Sequence, residues 1–164
     1  MSTEAAIPGL ETGKLFSFAD WPNEDIPLVS VGVYTVWLGE QLLYVGYSGR
    51  NLRPHEIRNA KKAKGLVTRI KSHRSGLRNS DPFCIYVCDR FVIPKLDSVS
   101  LQGLAAGEQL LDGFTRRFIR QELSYRFITT DGSESARKIE GRVRAGVLAA
   151  GKPCLLYTSD AAAE

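Results

Sequence analysis

A chain of 164 residues with 43% hydrophobic content can close one core, and two are not expected. No stretch is long and apolar enough to cross a membrane, and the start, Met1-Ser2-Thr3-Glu4, lacks the basic-then-apolar plan of a secretory signal, so a cytoplasmic location is expected. The net charge of +4 is modest, but the cations crowd between Arg50 and Arg78, where Glu56 is the one acidic residue, and a polyanion would find its footprint there.

Residues 1–28 read as an N-terminal extension whose Phe16, Phe18 and Trp21 are expected to pack on the domain, with stacking on bases as the alternative. A domain over residues 29–152 follows, then a tail, 153–164, whose small, polar end has no core-forming pattern and is either native or foreign. Val31–Leu38 and Gln41–Ser48 are rich in β-branched and aromatic residues and read as two strands of one hairpin, turning at Leu38-Gly39-Glu40. These strands carry Gly32-Val33-Tyr34 and Tyr44-Val45-Gly46. Register decides whether the two tyrosines can cooperate: a two-residue Gly39-Glu40 turn places Tyr34 opposite Val45 and sends Tyr44 to the other face, whereas a three-residue loop places Tyr34 across from Tyr44. Asn51–Lys64 is a basic, insertion-like stretch that reads as a helix, and Gly65–His73 as a second one ending near Gly76. On the latter, Leu66, Ile70 and His73 share a stripe with Arg69 at its edge, one turn before His73.

Farther along, Phe83–Asp89 alternates as a strand does, continued by Phe91-Val92-Ile93 until Pro94. Cys84 and Cys88 on such a strand stand about 13 Å apart, too far to bridge, so these and Cys154 are expected to be reduced. Neither histidine sits in a Cys/His cluster of zinc spacing, and no structural zinc is expected. Val99–Leu123 reads as one or two helices and Ser124–Thr130 as a strand. Asp131-Gly132-Ser133-Glu134 has the spacing of a capping box, with Asp131 as cap, before a helix running to about Gly151. Its apolar stripe is Ala136, Ile139, Val143, Val147 and Ala150. Glu140 projects within the spread of that stripe, so a carboxylate points toward the buried side and something cationic must meet it, a neighbouring arginine being the plain solution. The order β-β-α-β-α-β-α suits an α/β (α+β) fold with a small central mixed or antiparallel sheet flanked by helices.

Taken in order, Gly32-Val33-Tyr34, Tyr44-Val45-Gly46, Arg69 with His73, and Glu140 resemble the motifs of the GIY-YIG nucleases, with Val for Ile in both halves of the name. The resemblance implies a metal-dependent endonuclease that hydrolyses DNA phosphodiester bonds, with Tyr34, Tyr44, Arg69, His73 and Glu140 as its catalytic residues. Glu140 would hold a single Mg²⁺ or Mn²⁺ together with phosphate oxygens and water. Arg69 would neutralise charge building on the phosphate, and Tyr34 would orient or deprotonate the attacking water with Tyr44 and His73 in support, the choice of base between Tyr34 and His73 staying open. DNA contacts are expected from Arg50, Arg53, Lys61, Lys62, Lys64, Lys71 and Arg74, with target choice aided by a homodimer or an accessory DNA-recognition chain. Two departures from the family pattern stand out: the insertion before the Arg69 helix, and the lack of any asparagine after Asn79 where relatives carry one behind the glutamate helix. A foreign tail makes that asparagine a truncation; a native tail means that its contact is lost or supplied elsewhere. The alternative functions are a catalytically impaired nucleic-acid-binding module of the same fold and a non-enzymatic protein-interaction domain whose tyrosines are structural.

Overall fold

The computed structural model describes residues 2–155. Two short helices, α1 (Thr3–Ala6) and α2 (Gly9–Thr12), lead into strand β1 (Phe16–Ser17). Strand β2 (Val29–Ser30) precedes the hairpin of β3 (Gly32–Leu38) and β4 (Gln41–Ser48). The basic stretch yields only a short helix, α3 (Pro54–Arg58), before β5 (Lys64–Gly65) and helix α4 (Leu66–Ser75), which Gly76 closes in the left-handed conformation at φ +71°. Helix α5 (Pro82–Val87) continues into a π-turn and then a 3₁₀ turn; α6 (Ser98–Ala105), α7 (Leu111–Glu122), β6 (Leu123–Thr129) and α8 (Ser133–Arg144) complete the order.

The central sheet is antiparallel in the order β1-β6-β3-β4, so β4 is an edge strand, while β2 and β5 form a separate parallel pair. Helices cover both faces, which makes the fold α+β. On one face Leu66 and Ile70 of α4, Phe83 of α5 and Ile119 of α7 bury against Tyr34, Val36 and Tyr125. On the other, Leu10 of α2 and Ala136, Ile139 and Val143 of α8 bury against Val33, Trp37 and Val45. Alternation along β3 thus sends odd-numbered residues to one core and even-numbered residues to the other.

The strand expected at Phe83–Asp89 is a helix. Asp81 accepts the Phe83 N–H at 3.1 Å and Pro82 takes the first helical position, a start that the apolar run alone does not reveal. The buried residues Phe83, Cys84, Val87 and Cys88 fall at helical spacing, with Ile85 exposed between them, whereas a strand would put Phe83, Ile85 and Val87 on one face. Cys84 and Cys88 are consequently one turn apart, and all three cysteines are free thiols. The expected element order therefore loses its third strand.

Helix α8 also begins and ends differently from expectation. Gly132 precedes it with no side-chain cap, and Glu134 pairs with Lys138 at 3.2 Å instead of reaching back. The helix stops at Arg144, because Gly146 turns left-handed at φ +99°, and Val147 and Ala150 lie beyond it, exposed. The carboxylate of Glu11 accepts the N–H groups of Ala149 and Ala150 at 3.1 and 2.8 Å, tying this exit to the N-terminal segment.

Residues expected as an extension are built into the sheet and both cores. Phe16 stacks on Tyr125 and on Phe127, each at 5.6 Å between ring centres, and Phe18 and Leu10 are buried. At the other end the N–H groups of Cys154 and Leu155 donate to the carbonyls of Leu42 and Leu43, and Leu155 is buried. The remainder of the expected tail lies outside the described residues. No described helix is long and apolar enough to cross a membrane.

Candidate active site

The hairpin brings the two motif tyrosines to one face with the two-residue turn, by way of a bulge instead of a three-residue loop. Leu38 pairs with Gln41 around a two-residue Gly39-Glu40 turn, but the register slips between Val36 and Trp37, leaving Leu43 as an extra residue in β4. Beyond that bulge Val36 opposes Tyr44 and Tyr34 opposes Gly46, so the phenols are diagonal neighbours with ring centres 6.3 Å apart. A methyl group on Gly46 would press into the Tyr34 ring, 2.6 Å from Cζ, and one on Gly32 would strike the Ile128 carbonyl and stand 2.6 Å from Leu66 Cδ1. Both motif glycines are thus accounted for by close packing across the sheet and against α4.

Behind Tyr34 lies a chain of two short hydrogen bonds. The Tyr34 hydroxyl and His73 Nε2 are 2.6 Å apart, and His73 Nδ1 and Asp81 Oδ2 are 2.6 Å apart. Tyr34 is 2% exposed, and His73 and Asp81 are 1% exposed each. Phe83 walls the imidazole at 4.4 Å between ring centres and Tyr44 meets it edge-on at 5.9 Å. His73 is therefore part of the core, near the C-terminal end of α4. Burial, and after it the positive charge of Arg69, hold its basicity below the ordinary histidine value, against the pull of Asp81. Burial pushes the Asp81 carboxyl up, but hydrogen bonds from His73 and Ser72 outweigh it and leave the group below the usual carboxylate range. Burial, then the neighbouring Tyr44, drives the Tyr34 phenol well above its ordinary value, and Tyr44 itself is raised by burial.

In front of this interior the site opens at the edge strand. Tyr44, on β4, packs against both cores and is only partly buried. The charges of Arg69, from α4 on one face, and of Glu140, from α8 on the other, both act on the two phenols. Arg69 is exposed and borders a cleft of about 520 Å³ lined also by Arg50, Lys64 and Tyr47, whereas Tyr34, Tyr44 and Glu140 stand outside its lining. A second hollow, of about 280 Å³, adjoins it along His55, Lys61, Lys62 and Lys64. Glu56 accepts from Lys64 at 2.9 Å and from the Arg53 N–H at 2.9 Å, so the basic stretch is held by its single acid. Arg53 and Lys71 are exposed. Arg74 donates from Nε to the Phe18 carbonyl at 2.8 Å and from Nη2 to Ala19, so its guanidinium ties α4 to the N-terminal segment.

Glu140 takes the plain solution in this structure. Arg144, one turn on, donates to its Oε1 from Nη2 at 2.7 Å and from Nε at 3.1 Å, and the Glu140 side chain is 12% exposed. Among the described residues no three His, Cys, Asp or Glu side chains gather as a metal cluster. The donor set fits a hard cation held by one carboxylate and completed by substrate oxygens and water, in exchange for Arg144, and does not fit an ion enclosed by protein. Asp81 is the polar residue that motif reading misses. Its signal is local: an aspartate directly before Pro82 is a helix start, and a helix there turns the carboxylate back toward α4.

Comparison with protein-family models, curated proteins and solved structures gives no match for this chain.

Proposed function

We propose that the protein is a metal-dependent endonuclease of the GIY-YIG kind that hydrolyses DNA phosphodiester bonds. The observation that carries this reading is the phenol of Tyr34 bonded to His73 at 2.6 Å, within electrostatic reach of one exposed guanidinium and one carboxylate drawn from opposite layers. A purely structural tyrosine needs one hydrogen-bond partner; a tyrosine that serves a reaction also needs charges that can act on it, and here those of Arg69 and Glu140 come from separate helices.

In this reading the DNA backbone lies along the basic rim of Arg50, Lys61, Lys62 and Lys64, and the scissile phosphate meets Arg69. Arg69 offers a permanent charge and a fixed donor fork to the phosphate oxygens as negative charge grows on them. Glu140 would hold the Mg²⁺ or Mn²⁺, which when bound supplies charge stabilisation to the leaving oxygen. Tyr34 receives the proton of the attacking water while handing its own to His73, because a phenol raised so far by burial is a poor store of negative charge. Tyr44, the more exposed phenol, steadies water or phosphate at the strand edge.

The Glu140–Arg144 pair favours a second reading, a module that binds nucleic acid without cutting it, if Arg144 is not displaced. Plasmid nicking separates the two. The nuclease reading expects Mg²⁺-dependent nicking that is lost in Glu140→Ala and Arg69→Ala while Glu140→Ala still binds DNA. Salt-sensitive DNA binding with no nicking at any divalent metal concentration would leave only the second, and no DNA binding would leave neither.

A further inference from the structure

Asp81 belongs to none of the motifs, yet each of its carboxylate oxygens has a separate task. Oδ1 accepts the Phe83 N–H at 3.1 Å, while Oδ2 accepts from His73 Nδ1 at 2.6 Å and from the Ser72 hydroxyl at 3.2 Å. We infer that Asp81 is a positioning residue of the cleavage reaction: by accepting from His73 Nδ1 it imposes the tautomer in which Nε2 is free to take the proton of the Tyr34 hydroxyl. This inference rests on the nuclease reading above.

The direction of the chain follows from what each group can do. A carboxylate has only acceptor sites, so Nδ1 must carry the hydrogen. An imidazole that burial keeps neutral then has its lone pair on Nε2, and the Tyr34 hydroxyl 2.6 Å away has to donate to it. During attack, an O–H bond of water breaks as its oxygen bonds to phosphorus. The released proton goes to the Tyr34 oxygen, the original phenol proton goes to Nε2, and the bond from phosphorus to the 3′ oxygen breaks, that oxygen taking a proton from solvent. The imidazolium that results lies 2.6 Å from the Asp81 carboxylate, which stabilises it. With the opposite tautomer, Nε2–H would donate to Tyr34 and the phenol proton would have nowhere to go.

Asp81→Asn isolates this role, because asparagine caps a helix as well as aspartate does. The Phe83 N–H keeps the amide oxygen at the Oδ1 position, and the amide NH₂ then faces His73 and donates to Nδ1. The chain holds two histidines, the exposed His55 and the buried His73, so ¹⁵N-histidine labelling of the full chain resolves the ring nitrogens of each. In the wild type the expected His73 signature is Nδ1–H with an unprotonated Nε2, and in Asp81→Asn the reverse. With that reversal, kcat for plasmid nicking is expected to fall by about 10³- to 10⁴-fold, with KM and DNA affinity kept. Ser72→Ala, which leaves the carboxylate in place, is expected to keep the wild-type tautomer and cleave within about threefold of wild type. Nicking by Asp81→Asn near the wild-type rate, or a loss of nicking with His73 still in its original tautomer, overturns the inference. A wild type that binds DNA but never nicks it overturns the nuclease reading instead, and the tautomer measurement still reports whether Asp81 sets the ring.

Discussion

Tyr34, His73 and Asp81 are each no more than 2% exposed and hold one another at 2.6 Å, whereas Arg69 is exposed and Glu140 pairs with Arg144, one turn along its own helix. On the nuclease reading, the two halves of the site have different jobs. Moving a proton requires fixed donors and acceptors in one protonation state, which burial and close packing provide. Meeting a phosphate and a hydrated cation requires open space and partners that can be exchanged, which an edge strand between two helices provides. Burial therefore couples the relay to folding, while the rim can be altered with little effect on stability.

The sharpest way to break this contrast is to cut one residue from each half. His73→Ala leaves the Asp81 carboxylate buried without its main partner, and should cost about 3–5 kcal/mol of unfolding free energy along with all nicking activity. Arg69→Ala should leave stability within about 0.5 kcal/mol of wild type, as exposed substitutions do, yet lower the cleavage rate about 10²- to 10³-fold. Denaturant melts beside single-turnover nicking read both; a stability loss for Arg69→Ala equal to that for His73→Ala would dissolve the distinction.

A smaller effect is expected from Gly46→Ala, whose methyl group must displace the Tyr34 ring, at about 1–3 kcal/mol. Acidification should act in the same direction. The folded relay refuses a proton that the unfolded histidine takes up near its ordinary value of 6.5, so stability falls as pH drops through 6.5, and the Asp81 contribution follows as pH falls through that carboxyl's depressed value. The urea midpoint should decline between about pH 8 and pH 6 in wild type, and a midpoint that rises instead would contradict a His73 held neutral. The smallest change belongs to the outermost charges: Lys61→Ala with Lys62→Ala should reduce the salt slope of DNA binding by about one to two and leave melting unchanged.

What is legible in the sequence divides along similar lines. The hairpin strands and α4 follow from β-branched runs and from a Leu66–Ile70–His73 stripe closed by Gly76, each a strong local signal. The shared face of the tyrosines is not legible, since it depends on a bulge at Leu43 that no turn residue announces. Helix α5 is hidden because nearly the whole run from Phe83 to Cys88 is apolar, so the sequence does not show which of its residues face the core. Asp81 is hidden with it, for its place beside His73 exists only once that segment is helical. The anchoring of Arg74 is not legible either, because composition counts its charge but does not reveal the Phe18 and Ala19 carbonyls to which it donates. Glu140 is legible as a carboxylate needing a cation, and Arg144 as its partner follows from i,i+4 spacing.

The most direct test of a phenol at the junction of relay and rim is the Mg²⁺-dependent nicking rate of Tyr34→Phe, which keeps the ring and removes the hydroxyl. The expected result is nicking by the wild type and a fall of about 10²- to 10⁴-fold in the variant, with DNA affinity retained. Equal nicking by the two proteins would contradict it, as would a wild type that binds DNA but leaves it intact.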